Sequence, residues 1–172
     1  LKAYADRVCD ILDTQPEPVI LVGHSMGGVV VTQAAEYRPD KVKILIYVAA
    51  FLLKNGEFLL QYAEQDKDSM VLPNLIMAQD QSFATLKEEA VKEVFYGDCS
   101  DEDIEKAKSL LVPQAVAPLA TPVKTSQDNF GSLPRIYISC SRDRAISPPI
   151  QEKMCSNLPC EKVIQMDTSH SP

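Results

Sequence analysis

The sequence predicts an α/β fold, in which a mostly parallel sheet is flanked by helices. The run Val19–Val22 is apolar at every position, and a strand buried on both faces is typical of a parallel sheet. Strand-like and helix-like segments also alternate near both ends of the chain, as they do in βαβ units. Four strands are predicted, at residues 18–22, 42–49, 135–140 and 161–166.

Three helices are predicted around these strands, and each has a recognisable signal at one end. Prolines close the first two helices, because the residue before a proline avoids helical backbone. A pair of prolines opens the third helix, where proline fits the first turn. The three helices cover residues 1–13, 28–37 and 148–157.

The outer strands have few predicted neighbours. No capping side chain precedes Leu1, so the first helix has no visible beginning. No helical pattern follows the strand at 161–166 to cover the sheet. We therefore expect that early strands and a last helix of the natural protein lie outside these 172 residues.

Residues 53–130 interrupt the alternation, since they are rich in charge and contain no convincing buried strand. Apolar spacing predicts a helix over 83–95, and Ser100 with Asp103 forms a capping box for a helix over 100–112. Long insertions into compact domains are usually functional. We predict a core of residues 1–52 and 131–172 with a helical cap at 53–130; a loop-rich detour without a role is the alternative.

Composition excludes several classes of protein. The length fits one domain, and 45% hydrophobic with 24% charged residues is ordinary for a globular chain. A net charge of −7 argues against a nucleic-acid surface, and no apolar stretch reaches the roughly 20 residues that span a bilayer. Five cysteines without CxxC spacing and two histidines disfavour a disulfide framework or a metal site. The five scattered cysteines favour reduced thiols in a cytoplasmic protein.

The segment from Gly23 to Gly28 contains G-x-S-x-G between a buried strand and a helix, which is the setting of a nucleophile elbow. There the Ser25 hydroxyl would stand exposed, and the Met26 N–H would face a developing oxyanion. Gly23 and Gly27 are expected to be required, because side chains at these positions would collide across the turn. Gly28 follows them at the start of the helix. A phosphate-binding turn is the alternative, but the P-loop lysine and the GxGxxG spacing are missing.

A serine nucleophile needs a base, and His170 follows the last strand at the same edge of the sheet. His24 adjoins Ser25 and is expected to shape the pocket floor. Asp143 follows the strand at 135–140 and is favoured as the acid, because Ser…Asp…His is the chain order of such sites. Asp167 is the competing acid, and a surface role for His170 is the plain alternative.

The chain resembles the α/β-hydrolase superfamily, in the branch of plant methyl-ester hydrolases, hydroxynitrile lyases and bacterial esterases that include pyrethroid-hydrolysing ones. The resemblance implies a second oxyanion donor in a loop upstream of Leu1. Ser171 follows His170 where lyases of this branch often carry lysine, which favours ester hydrolysis. The resemblance rests on residues 23–28, 38–42, 139–146 and 168–172, with 96–99 and 113–115 similar to cap segments of bacterial members.

The predicted function is hydrolysis of small to medium, mainly apolar carboxylic esters through an acyl-enzyme, without metal or cofactor. Hydroxynitrile-lyase-type cleavage and a non-catalytic ligand-binding role are the alternatives. The expected partner is a small-molecule ester, with no nucleic acid and no membrane span, and a homodimer is left open. The substrate pocket is predicted to include Met26, Phe51, Leu52, Leu72, Leu75 and Ile76.

Overall fold

The computed structural model describes residues 1–172 and contains seven strands and six α-helices, joined by short 3-10 turns. The strands are β1 (Val19–Ser25), β2 (Val42–Ala50), β3 (Leu75–Met77), β4 (Phe83–Leu86), β5 (Gln114–Ala115), β6 (Arg135–Cys140) and β7 (Lys162–Met166). The helices are α1 (Lys2–Asp13), α2 (Gly27–Tyr37), α3 (Leu59–Ala63), α4 (Val91–Phe95), α5 (Asp101–Leu110) and α6 (Pro148–Asn157).

The four predicted strands form one parallel sheet in the order β1-β2-β6-β7. Their bounds match the predicted ones to within one residue, except that β1 continues to Ser25. Because all four strands run in the same direction, the loops that follow β1, β6 and β7 meet at one edge of the sheet. This topology confirms the predicted α/β class.

The main core lies on one face of this sheet. Leu45 and Tyr47 of β2 and Tyr137 of β6 are fully buried there, against apolar side chains of α1, α2 and α6. The tyrosine rings are stacked with centroids 6.4 Å apart. The Tyr137 hydroxyl donates to Ala50 O at 2.8 Å and accepts from Ala50 N at 3.1 Å. The end of β2 is therefore held in place from inside the core.

The prediction that β1 is buried on both faces is wrong. Ile20 and Val22 are 59% and 53% exposed, and every residue of β7 is exposed too. Side chains alternate across a strand, so Ile20 and Val22 point to the face opposite the core cluster. β1 is also an edge strand, paired with β2 alone.

Residues 53–130 hold three helices, α3, α4 and α5, and a small antiparallel sheet in the order β3-β4-β5. The helix predicted over 83–95 is only partly present, because 83–86 form β4 and α4 begins at Val91. Pairing with β3 and β5 satisfies the backbone of β4 and overrides the helical spacing. Ser100 is confirmed as the N-cap, since its Oγ accepts from Asp103 N at 3.1 Å and α5 begins at Asp101. The reciprocal bond of a capping box is replaced by one from the Ser100 hydroxyl to the Asp103 carboxylate at 2.6 Å, and the helix ends at Leu110, before the predicted end at 112.

Two further findings bear on the predictions made from composition. The longest helix, α1, has 12 residues, and no helix of the structure combines the length and apolarity required to cross a membrane. All five cysteines are free thiols. Neither finding alters the core described above.

Candidate active site

Ser25 sits at the tip of a sharp strand-to-helix turn, between the body of β1 and the first residue of α2. Its φ of 54° lies in the left-handed region, which residues other than glycine rarely adopt. The carbonyl of Ser25 accepts from Phe51 N at 3.1 Å, which docks the turn on the end of β2. A strained residue that its surroundings hold in place is typical of a functional site.

Close packing at this turn requires glycine at two positions, and only one of them belongs to the pair we expected. A Cβ on Gly23 would lie 2.7 Å from Val31 Cγ2 and 2.9 Å from Gly27 O. A Cβ on Gly28 would lie 2.3 Å from Phe51 O. Gly27 has open space around the same position, so the expectation that Gly27 avoids a collision is wrong. Gly23 and Gly28 are the glycines that steric contact requires.

Gly28→Ala is expected to lower the free energy of unfolding by about 3 kcal/mol, because its methyl group would overlap the Phe51 carbonyl. Gly27→Ala is the matched control and should be neutral or stabilising by up to about 1 kcal/mol, since alanine favours a helix. Urea unfolding of both variants of the full-length protein measures the difference. Equal losses in the two variants would contradict this account of the turn.

Asp143 and His170 form a buried pair. Asp143 Oδ2 lies 2.9 Å from His170 Nδ1, and the two residues are only 4% and 1% exposed. The other carboxylate oxygen accepts from the backbone N–H groups of Ala145 at 2.7 Å and Ile146 at 2.9 Å. An ionised carboxylate only accepts hydrogen bonds, so His170 Nδ1 carries the proton in this pair.

Asp167, the competing acid, lies elsewhere. Its carboxylate accepts from the Ser141 hydroxyl at 3.0 Å and pairs with the Arg142 guanidinium at 3.1 Å. The structure therefore brings Asp143 to His170 and turns Asp167 toward the outer side of the loop. Asp167 is exposed, whereas a carboxylate that orients a buried imidazole has to be buried with it.

The second ring nitrogen of His170 is free. Nε2 is buried and has no hydrogen-bond partner, and no hydrogen bond joins it to the Ser25 hydroxyl. The residue before Ser25 nevertheless contacts His170 directly, with the His24 and His170 ring centroids 4.6 Å apart. With the proton on Nδ1, the lone pair on Nε2 can accept a proton from a group that approaches it.

His24 anchors His170 and does not form the pocket floor that we expected. It is absent from the lining of the cavity described below. Its Nε2–H donates to the backbone carbonyl of His170 at 2.8 Å. Desolvation, followed by the nearby His170, lowers the pKa of His24 from its usual value. Nothing in the local sequence signals this bond, because it joins residues 146 positions apart.

His24 is exposed to solvent, so we expect its lowered pKa to make the protein only slightly less stable in mild acid. The unfolded chain binds a proton at His24 more readily than the folded one, so stability falls as the pH drops through the ordinary histidine pKa of 6.5. We expect His24→Gln to reduce the loss of unfolding free energy between about pH 7.5 and about pH 5.5. Urea unfolding at both pH values measures it, and equal losses in wild type and variant would refute the assignment.

Met26 occupies the N-cap position of α2, next to the nucleophile candidate, and its side chain makes no capping hydrogen bond. No backbone carbonyl or side chain of the protein accepts its N–H. The free N–H groups in the first turn of a helix carry partial positive charge. An oxygen placed over Ser25 would therefore meet a suitable donor at Met26.

A cavity of about 740 Å³ opens over Ser25. It lies between the turn and residues of the 53–130 segment, and 17 of its 26 lining residues are hydrophobic. Leu52 and Ile76 are not among them, which corrects two predicted positions. Leu52 is buried in the main core, and Ile76 alternates with Leu75 along β3 and faces outward, 52% exposed. The lining includes Ser25, Met26, Phe51, Leu72, Leu75, Phe95 and Val112.

Sequence reasoning missed two residues of this site. Gln151, on the buried side of α6, donates to Asp143 Oδ2 at 3.0 Å and to Ile146 O at 2.7 Å. Phe95, the last residue of α4, lines the cavity and packs against His170, with ring centroids 5.5 Å apart. Helical spacing could have placed Gln151 on the inner face, but no motif indicates its partner.

Comparisons with known proteins agree with this architecture. The sequence profile described as "Alpha/beta hydrolase family" matches residues 1–172. Methylesterase 7 of Arabidopsis thaliana is 31% identical over 184 residues, which cover all of this chain and 71% of that protein. A pyrethroid hydrolase of Sphingobium wenxiniae is 30% identical over 182 residues, which cover all of this chain and 64% of that protein. This chain covers only 47% of another Arabidopsis relative, which is 29% identical over 183 residues. The chain therefore spans between about half and seven tenths of the length of such relatives.

Solved structures show the same fold. The crystal structure of a pyrethroid hydrolase superposes with a TM-score of 0.87 at 26% identity, over 98% of this chain and 70% of that one. The crystal structure of polyneuridine aldehyde esterase gives a TM-score of 0.82 at 25% identity, over 97% and 71% of the two chains. The chain therefore belongs to the alpha/beta hydrolase family, among its esterase-type members.

Proposed function

We propose that this protein is a serine esterase in which Ser25, His170 and Asp143 form the catalytic triad. One observation carries the proposal: a buried Asp143–His170 pair, whose Nε2 is free, packs on His24, and the next residue is a strained serine that opens into an apolar cavity. The pair supplies an oriented base, and the turn supplies an accessible hydroxyl. The esterase-type relatives support the same chemistry.

Acylation follows from this geometry. As Ser25 Oγ attacks the ester carbonyl carbon, Nε2 of His170 takes the hydroxyl proton and the ring becomes an imidazolium. Asp143 stabilises that cation and keeps Nδ1 directed toward itself. The Met26 N–H donates to the oxyanion of the tetrahedral intermediate. Collapse of the intermediate breaks the bond to the alcohol, which leaves with the proton from Nε2.

Deacylation uses the same groups in a second round. His170 takes a proton from a water molecule as its oxygen attacks the acyl carbonyl of Ser25. The intermediate collapses, the carboxylic acid is released and Ser25 regains its proton. A single oxyanion donor typically contributes about 3–4 kcal/mol to such steps. The second donor that the family resemblance implies would add a comparable amount.

The cavity supports a proposal for the class of ester. Its volume of about 740 Å³ accommodates a small to medium substrate, and its lining beside Ser25 is mostly apolar. Phe51 and Phe95 contribute aromatic surface to this lining, and Leu72 and Leu75 contribute aliphatic surface. We propose carboxylic esters with apolar acyl and alcohol groups as substrates.

The test uses the full-length natural protein and two probes. We expect hydrolysis of p-nitrophenyl butyrate with an initial burst of p-nitrophenol, because the acyl-enzyme accumulates. Diethyl p-nitrophenyl phosphate should add one diethylphosphoryl group, located by mass spectrometry on the peptide that holds Ser25. Folded protein with neither turnover nor labelling would overturn the proposal. Cleavage of a cyanohydrin instead would assign a lyase, and binding of an ester without turnover would assign a ligand-binding role.

The cytoplasmic location rests on cysteine usage. Five free thiols fit a reducing compartment, and we propose that location on this ground. The homodimer stays a prediction, which the mass of the full-length protein in solution would decide.

A further inference from the structure

The loop that carries His170 is held by a carboxylate from the 53–130 segment. Asp98 lies between α4 and α5, 71 residues away from Ser169 in the chain. Its Oδ2 accepts from the Ser169 backbone N–H at 2.9 Å, and its Oδ1 accepts from the Ser169 hydroxyl. Ser169 is 5% exposed and directly precedes His170. One carboxylate therefore fixes both the backbone and the side chain of the residue before the base.

A second contact from the 53–130 segment holds Ser171, the residue that follows His170. The Cys99 thiol donates to the carbonyl of Ser171 at 3.6 Å, a distance suited to a weak sulfur hydrogen bond. Asp98 and Cys99 are consecutive, and so are Ser169, His170 and Ser171. The two short segments therefore lie against each other, with the catalytic histidine between the two attachment points.

Arg142 connects this contact to the acid of the triad. Its guanidinium donates to Asp98 Oδ2 at 3.1 Å and to Asp167 O at 2.5 Å. Its backbone N–H donates to Thr168 O at 3.0 Å. Arg142 directly precedes Asp143, so the same charge bridges the loops of the acid and of the base. The hydrogen bond from the Ser169 hydroxyl lowers the pKa of Asp98 below its ordinary value of 3.8, as expected for a carboxylate that accepts hydrogen bonds.

We propose that Asp98 is a positioning residue that holds His170 against Asp143 and couples the 53–130 segment to the catalytic base. This inference rests on the proposed function. It also gives that segment a role besides lining the cavity. Displacing a catalytic group by about 1 Å can cost about 100-fold in rate. A contact that holds the residue before the base should therefore affect turnover more than substrate binding.

The kinetic test compares three variants of the full-length protein. Asp98→Ala removes every acceptor and should lower kcat for p-nitrophenyl butyrate by about 10- to 100-fold, with KM changed less than about twofold. Asp98→Asn retains an oxygen for the Ser169 N–H and should recover most of kcat. Asp101→Asn is the matched control, an exposed acid of the same segment that pairs only with Lys92, and it should behave as wild type. Unchanged kcat in folded Asp98→Ala, or equal losses in all three, would overturn the proposal.

A spectroscopic test separates the proposal from the esterase assignment. The proton between His170 Nδ1 and Asp143 gives a downfield NMR signal whose intensity reports that hydrogen bond without any substrate. We expect the signal in wild type and in Asp101→Asn, and its broadening or loss in Asp98→Ala at a temperature where circular dichroism shows a folded protein. If wild type lacks turnover but this pattern holds, only the esterase assignment fails. A full signal in Asp98→Ala would show that Asp98 merely attaches the segment.

Discussion

Replacing Ser25 with alanine should lower kcat for ester hydrolysis by about 10⁶-fold, the loss that follows removal of the nucleophile from a Ser-His-Asp enzyme. The substitution removes one oxygen from a half-buried side chain and leaves the Phe51 N–H to Ser25 O hydrogen bond in place, because that bond uses the backbone. The free energy of unfolding should stay the same or rise, since alanine at a positive φ is no worse placed than serine. Steady-state kinetics and urea unfolding of the full-length protein measure the two effects separately.

His170→Ala should cause a loss of the same size, and the double variant should be no worse than either single one. Residues that act as one unit lose their effect together, so their contributions to kcat do not add. Ser156→Ala, at an exposed serine on α6, is the control and should retain full activity. If the fold-losses in kcat of the two single variants multiplied in the double variant, Ser25 and His170 would not act as one unit. More than about 1% of wild-type activity in Ser25→Ala would place the nucleophile elsewhere.

Asp143→Asn should lower kcat by about 10⁴-fold, because the imidazole would lose the acceptor that fixes its tautomer. The structure makes this change unusually costly. Asp143 accepts four hydrogen bonds, and every one of them comes from an N–H group. An asparagine offers one oxygen and one NH₂ group, so either orientation places a donor against donors. We therefore also expect the free energy of unfolding to fall by about 1–3 kcal/mol.

The matched control for this change is Asp167→Asn. Asp167 is an exposed acid of the neighbouring loop, and its carboxylate faces Ser141 and Arg142. Its kcat should stay within about threefold of wild type, because an exposed ion pair contributes little. A large loss in Asp167→Asn together with a small loss in Asp143→Asn would reverse the assignment of the acid.

The central strands were predictable because their signal is local. β2 and β6 are mostly apolar, and burial of such segments requires no knowledge of distant partners. β4 was missed because it has only four residues and its apolar positions also fit a helix. What decides its conformation is pairing with β3 and with β5, and β5 lies about thirty residues further along the chain.

The candidate site divides in the same way. The turn around Ser25 was predictable because its glycines, its strand and its helix are adjacent in the sequence. Which glycines are required was not, because the atom that forbids a side chain on Gly28 is the carbonyl of Phe51. For the pocket, alternation along β3 decides that Leu75 lines the cavity and Ile76 does not, and strand register cannot be known before the strand itself.

The sequence by itself determined the α/β class, the position of the elbow and the chain order of the three triad candidates, since each depends on residues close together in the chain. Only the tertiary structure decided that Asp143 faces His170, that His24 and Asp98 hold the histidine loop, and that β1 has an exposed face. These features join residues 27, 146 and 71 positions apart or depend on what covers a surface. Hydrogen bonds and packing between distant segments form only once the chain has folded, so no local pattern encodes them.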